Sequence, residues 1–445
     1  MVTRIEHLQR SHPAIQGRHH VRPRLRPSVK VTPHHARRAL AASAVVEPIV
    51  EAFNGTSTDV LLQGFHWTSC RSNNPGWYEI IAQNAARIRE AAFDVVWFPP
   101  PSESAFDGEG YMPTRWYALD SAYGTKRELE AAIRAIAPVR AIADVVVNHR
   151  CGVATMGADF EAPAFANQTD AICRDDESGV GTGAFDTGET QRAARDLDHT
   201  NAEVQEAIKS YLAALKALGF QGWRYDEVRG YGGSFVGLYN HSSQPYLSVG
   251  EFWDADRQSV VDWIDATRGT SMAFDFPTRT LLKHAIGERQ FWLLKTIDGK
   301  PTGVIGWWPT MSVTFVEDHD TFKDHPEPDE FGSGDQVLQA YAYILTHPGL
   351  PCVFWSHFFD YGDEIRSKIR AMIGIRKAAR IRSGSVVDIA AADDGRYAAI
   401  VDGVAAVKIG PGSWDPGPGW RVATDGNDYA IWTRGARKIA WSVPQ

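Results

Sequence analysis

From residue 60 onward, short runs of consecutive apolar residues alternate with longer stretches in which apolar positions recur every three or four residues. The short runs fall at 60–65, 95–98, 141–147, 222–225, 247–250, 272–274, 312–316 and 352–354. Each is too short for a helix and lacks a polar face, so each predicts a strand buried on both sides. The stretches between them carry the helical period, as at 77–91, 126–136, 202–218, 258–266, 278–293 and 335–346. Eight such strand–helix units predict an α/β fold, a (β/α)8 TIM barrel of parallel strands. One connection breaks the rhythm. Residues 149–201 are rich in Gly, Asp and Thr without helical period, and they predict a small subdomain inserted after strand 3.

Beyond about residue 383 the apolar positions alternate with polar ones instead. Strands are expected at 386–389, 397–401, 404–409, 420–424 and 429–433, with turns at Asp393–Asp394–Gly395, Asp402–Gly403 and Asp425–Gly426. This reads as a C-terminal antiparallel β-sheet domain. The expected division is a basic tail at 1–55, the barrel at 56–383 with its insert at 149–201, and the β domain at 384–445.

Composition changes this picture at the N-terminus. Up to Arg38 the chain carries nine Lys or Arg and six His against one acid, Glu6. There is no apolar h-region, so the segment is not a secretory signal. An Arg-rich, acid-poor stretch is similar to an organelle transit peptide; a solvated tail is the alternative. The expected location is accordingly plastid or cytoplasm. The four cysteines, Cys70, Cys151, Cys173 and Cys352, match neither a zinc spacing nor a dense disulfide framework and are expected to be free thiols. The net charge of −8 argues against nucleic acid as a partner. No apolar run is long enough to span a bilayer.

Barrel enzymes build their sites at the C-terminal ends of the strands. Here four strand ends are rich in acids and histidines. The third runs DVVVNH to His149, the fourth GWRYD to Asp226, the fifth VGE to Glu251 and the seventh FVEDHD to Asp320. A lone acid at a strand end is usually a cap or an ion-pair partner. Four acid-bearing ends on one rim suit cleavage of a glycosidic bond, which needs one carboxylate beneath the ring and one carboxylic acid beside the leaving oxygen.

The ordered set DVVVNH, GWRYDEVRG, VGEFW and FVEDHD resembles the signature regions of the α-amylase family, glycoside hydrolase family 13. The stretches LLQGFHW, FPPPSESAFDGEGYMP, VIGWWP and QAYAYILTHPGLPCVF bring the resemblance closest to the plant, plastid-type members. It implies retaining endo-hydrolysis of internal α-1,4 bonds in starch or glycogen. Asp226 is then the nucleophile, Glu251 the acid/base and Asp320 the third carboxylate. Arg224 holds the nucleophile ionised. Trp67, Tyr111, His149, Trp253 and His319 contact the sugar, and Trp307 and Trp308 form a surface glucan-binding pair. Trp414 is a further surface aromatic of this kind. The resemblance also implies one Ca2+, held by the side chains of Asn148, Asp186 and Asp196 and the backbone carbonyls of Glu189 and Gly230. Further calcium ions are not expected, because residues 161–169 lack most of the matching acids and Thr190 replaces another. The implied partner is starch or another α-1,4-glucan, handled by a monomer without nucleic acid or membrane. Glucan transfer and a catalytically weakened starch-binding relative are the competing readings.

Three positions depart from the family pattern. Asp318 stands where Asn is usual, and its charge is expected to raise neighbouring carboxyl pKa values. Glu227 follows the nucleophile directly, where a pairing with Arg229 is expected. The segment after Glu251 is short, which predicts a more open cleft on the leaving-group side.

Overall fold

The computed structural model describes residues 54–154, 157–190 and 194–435. The expected basic tail, residues 1–55, lies outside these apart from its last two positions. Eight parallel strands close into a barrel, each hydrogen-bonded to its sequence neighbours and the eighth to the first. They are Leu61–Gln63, Val95–Phe98, Arg140–Val145, Gly222–Tyr225, Leu247–Gly250, Met272–Phe274, Ser312–Phe315 and Leu350–Phe354. Every residue in them is buried except Arg140. That is why continuous apolar runs, rather than alternating ones, marked them in the sequence. The second, fourth, fifth and sixth match the expected bounds to the residue, and the other four differ by one or two positions at one or both ends.

The helices form where a cap meets an apolar stripe. Thr125 accepts from the Glu128 amide at 3.3 Å and the Glu128 carboxylate accepts from Thr125 N at 2.7 Å, a capping box that opens Lys126–Ile136. Its buried face is Leu129, Ala132 and Ile136. Asn201 accepts from Glu203 N at 2.8 Å and starts Ala202–Leu218, which buries Val204, Ile208, Tyr211, Leu212 and Leu215. Two expected helices differ from expectation. The 77–91 stretch is two segments, Trp77–Gln83 and Ala85–Glu90, broken at Asn84, whose side chain donates to Ile80 O at 2.9 Å. The 278–293 stretch begins earlier, at Phe276, under an Asp275 cap that accepts from Thr278 N. It stops at Gly287; Arg289 then turns left-handed at φ 57° ahead of a 3-10 turn, Phe291–Leu294.

The insert is tied to the barrel where it begins and ends, by antiparallel pairing of His149–Arg150 with Arg195–Asp196. Arg150 is fully buried, and burial lowers its pKa to about 10. Its guanidinium donates to Thr114 O at 2.7 and 3.1 Å, to Pro163 O at 2.8 Å and to Glu161 O. The rings of Trp116 and Phe160 lie 4.8 and 5.1 Å from it. One cation thus ties the strand Pro113–Arg115 to the loop at 161–163, which has no regular structure of its own.

The C-terminal sheet has the order Val387–Ala392, Tyr397–Val401, Ala405–Ile409, Tyr429–Thr433, Arg421–Gly426. Asp402 and Gly403, at φ 48° and 66°, supply the two left-handed residues that a tight hairpin turn needs. Tyr397 reaches back to the barrel and donates to His347 Nε2 at 2.8 Å, while His347 Nδ1 donates to Tyr343 O. All four cysteines are buried free thiols. Among the described residues no helix is long and apolar enough to cross a membrane.

Replacing Arg150 by Met keeps the apolar stem but strands the three carbonyls it serves. The free energy of unfolding should fall by about 2–4 kcal/mol, measured by urea denaturation. A change within about 0.5 kcal/mol would mean that these carbonyls do not depend on Arg150.

Candidate active site

The fourth strand brings Arg224 into the barrel mouth with only 1% of its surface exposed. Its Nη1 donates to Asp226 Oδ1 at 2.6 Å and to Asp144 Oδ1 at 2.9 Å, and its Nη2 lies 2.7 Å from Glu251 Oε1. Three strands therefore deliver three carboxylates to one guanidinium. Asp144 Oδ2 accepts from Trp97 Nε1 and from the Tyr111 hydroxyl, both at 3.0 Å. Tyr111 Oη in turn sits 2.5 Å from His319 Nε2, and His319 Nδ1 sits 3.0 Å from Gln63 Nε2. Gln63 has only protons to offer there, so Nδ1 accepts, the proton is on Nε2, and the ring is neutral. Burial, aided by the Arg224 charge, holds the His319 pKa well below its usual value.

The electrostatics of the carboxylates follow from crowding in a dry site. Burial pushes Glu251 well above the usual carboxylate range; Arg224 opposes this, while Asp226, Asp320 and Glu227 add to it. Asp320 is raised in the same way, first by burial and then by Asp318, again against Arg224. Burial lifts Asp144 to about 7 despite its contact with Arg224. The expected effect of Asp318 on its neighbour is thus present. The Asp318 carboxylate also shapes the backbone. Its Oδ1 accepts from Asp320 N at 3.1 Å and from Thr321 N and Oγ1 at 3.0 Å, fixing the turn that presents His319 and Asp320.

Glu227 corrects an expectation. Arg229 does not take it as its ion-pair partner but donates to Glu189 Oε1 at 2.5 and 3.1 Å and to Trp253 O at 2.5 Å. The cause is backbone geometry. Glu227 is left-handed at φ 42° and lines the cleft, with its amide donating to Glu251 Oε2 at 3.1 Å. Burial and the nearby Asp226 lift its carboxyl to about 7.

A cleft of about 550 Å³ covers this group and is lined by Trp67, Tyr111, His149, Asp226, Glu251, Trp253, His319 and Asp320. All eight were expected at the site from the sequence. Trp67, Tyr111 and His319 form a layered set, with Trp67–Tyr111 planes 9° apart and Tyr111–His319 planes 23° apart. His149 is 2.8 Å from Tyr111 O through Nε2, which fixes the start of the insert to the loop carrying that tyrosine. Trp253 is exposed and stacks on Phe276 at 4.6 Å. Trp307 and Trp308 lie away from this cleft. The Arg257 guanidinium covers one face of Trp307 at 3.4 Å, and Trp308 packs against the core.

A second oxygen-rich locus lies where the insert meets the barrel. Asn148 and Asp196 are buried side by side through the His149–Asp196 pairing. Gly230 packs so closely on Asn148 that a Cβ there would fall 2.1 Å from Asn148 Oδ1. Gly188 packs equally closely on Arg229 and Gly230, and Glu189 N donates to Arg229 O at 2.8 Å, which brings residues 186–189 to the same place. Asp186 Oδ2 is buried there without a hydrogen-bond partner. Nearby, oxygens of Asp176, Glu177 and Asp196 lie within 4.8 Å of one another, with Arg195 paired to Asp176 and Glu177.

Comparison with known proteins decides the family. Residues 378–433 match the model of the α-amylase C-terminal β-sheet domain. The chain is 38% identical to probable alpha-amylase 2 of Arabidopsis thaliana, over 84% of this chain and 94% of that one. The chain belongs to the α-amylase family. It is also 36% identical to alpha-amylase 3, chloroplastic, of the same plant, over 90% of this chain; it spans 47% of that relative's length. The solved α-amylase of Geobacillus thermoleovorans complexed with acarbose shares the fold, with a TM-score of 0.65 at 16% identity, over 85% of this chain and 98% of that one.

Several residues of this family member's site escaped the sequence reading. Asp324 Oδ2 accepts from His66 Nδ1 at 2.8 Å, Thr68 N at 3.1 Å and Thr68 Oγ1 at 2.8 Å, strapping the loop of the first strand to that of the seventh. His325 packs edge-on to Trp67 at 4.4 Å and lies 3.8 Å from Asp320. Gln63 and Trp97 hold His319 and Asp144. None carries a local signal, since the partners of Asp324 and Gln63 are more than 250 residues away. Asp176 had a faint one, the acidic run Asp175–Asp176–Glu177.

Proposed function

We propose that this protein hydrolyses internal α-1,4 bonds of starch-type glucans with retention of configuration. The observation that carries this reading is the shared guanidinium of Arg224, which holds Asp226 and Glu251 on adjacent nitrogens while Glu251 is pushed toward its protonated form. That is the division of labour that a retaining glycosidase needs. Asp226 attacks the anomeric carbon from below, Glu251 gives its proton to the leaving glycosidic oxygen, and a glycosyl ester forms on Asp226. Glu251, now ionised, takes a proton from water, whose oxygen attacks the same carbon and frees Asp226. The α configuration is inverted twice and so kept. Asp320, on its fixed turn, accepts hydrogen bonds from sugar hydroxyls. The Trp67–Tyr111–His319 layer supplies a flat wall for the ring beside the cleaved bond.

Asn148, Asp186 and Asp196, with the carbonyls of Glu189 and Gly230, suit one Ca2+. They are hard oxygen donors, one of them a buried carboxylate oxygen without a partner. The ion would supply structural charge that clamps the insert beside the nucleophile. The basic N-terminal segment and the chloroplastic relative favour a plastid location.

Asp226→Asn should lower reducing-end release from soluble starch by about 10³-fold or more, and proton NMR of the parent reaction should show the α-anomer first. A β-anomer would exclude retention, and longer chains appearing in place of free reducing ends would mean glucan transfer. The pH profile tests the acid. The Glu227 charge raises the Glu251 pKa, so Glu227→Gln should lower it and move the alkaline limb of kcat/KM to lower pH. An unmoved or upward-shifted limb would remove Glu251 from the acid role. Calcium has its own readout. Chelation should lower Tm, and added Ca2+ should restore it; an Asp186→Asn protein that still responds fully would rule out this donor set.

A further inference from the structure

Two adjoining cavities lie on the C-terminal face of the barrel. The cleft over the carboxylates is the smaller. The larger, about 1210 Å³, is formed by the loops that follow the first three strands and is lined by polar groups such as Asn73, Asp120 and Glu128. The two share one wall, made by Ser104, Ala105, Phe106 and Gly108. Phe106 is the largest side chain on that wall and is 79% exposed, more than any other aromatic ring among the described residues. Its backbone is left-handed, at φ 66° and ψ 19°, a conformation unfavourable for a bulky residue.

The loop that carries it is otherwise well anchored. Ala105 N donates to Met112 O at 2.8 Å, Met112 N to Ser104 Oγ at 3.2 Å, and the Tyr123 hydroxyl to Glu109 O at 2.7 Å. Gly110 sits so tightly on Pro100 that a Cβ there would lie 2.7 Å away. A firmly held loop thus displays a ring to solvent at the junction of the two cavities. Trp253 follows the fifth strand and Phe106 the second, three strands away around the barrel, and both line the cleft. A linear chain that runs along the cleft from Trp253 toward the loop of the second strand meets Phe106 at the wall shared with the larger cavity.

We infer that Phe106 is a chain-binding residue: one pyranose ring of a long glucan stacks its C–H face on Phe106, and the units beyond lie in the polar cavity next to it. A sugar offers an apolar face to the ring and hydroxyls to the polar lining, which is the chemistry this junction presents. The consequence is a preference for long chains over short ones. The inference rests on the glucan-hydrolysis reading and adds a determinant of substrate length to it.

The test compares maltoheptaose with maltotriose for the full chain and for Phe106→Ala, Phe106→Leu and Phe106→Trp. In the Ala and Leu variants the ratio of kcat/KM for maltoheptaose to that for maltotriose should fall roughly 3–10-fold, mainly through KM, and Trp should restore it. Leu keeps the bulk without the ring, and it decides the matter if Ala fails to fold. An unchanged ratio, an equal loss on both substrates, or no rescue by Trp overturns the inference. If the parent cleaves neither sugar, the hydrolysis reading falls. Phe106 is then judged by calorimetric binding of maltoheptaose, where equal affinity in parent and Leu variant overturns its role.

Discussion

The Arg224 guanidinium meets Asp144, Asp226 and Glu251 where almost no water shares the load. One positive charge cannot neutralise three carboxylates, and two more, Glu227 and Asp320, stand close by. In a low-dielectric pocket the surplus is resolved by protons rather than by ions. Some carboxyls must stay protonated near neutral pH, and the geometry selects which. Glu251 is among those raised, by burial and by the acids around it. A carboxyl group that keeps its proton is therefore the natural product of crowding carboxylates around one cation. It needs no special device beyond that crowding.

The remaining structure keeps this group in place. Gln63 and Tyr111 fix the neutral tautomer of His319, and Asp318 pins the turn that carries it and Asp320. Asp324 ties the rim loops of the first and seventh strands, and Arg150 gathers the strands of backbone that frame the insert. Each support is a buried or half-buried polar group tied by hydrogen bonds to neighbouring loops. Such networks are costly when broken, so they hold the site within narrow geometric limits.

The two unusual acids act in different ways. Asp318 serves as a turn-forming acceptor, a role that an amide oxygen would also fill, and its charge is felt chiefly by Asp320. Glu227 sits left-handed in the cleft and, through its charge, bears on Glu251. Its expected partner, Arg229, is committed to Glu189 in the insert instead. The added negative charge therefore stays at the rim of the cleft, where it acts on the pKa of Glu251.

The sequence by itself determined the barrel and its chemical equipment. A strand buried on both faces is mostly apolar, with isolated exceptions such as Arg224 and Ser248, so Val95–Phe98, Gly222–Tyr225, Leu247–Gly250 and Met272–Phe274 were legible to the residue. Each ends where polar residues begin, and a parallel barrel brings those ends to one rim, so Asp226, Glu251 and Asp320 were legible as a set. The helix Gly233–Ser243 was not, because its Gly, Ser and Asn residues carry little helical preference and packing alone holds it. Nor were the pairing of Arg229 with Glu189, the Arg257 guanidinium over Trp307, or the partners of Gln63 and Asp324. These are contacts between residues far apart in the chain, set by where loops meet. Local pattern records which residues are buried and with what period. Only the tertiary structure decides which charges face one another and, through burial, which of them keep their protons.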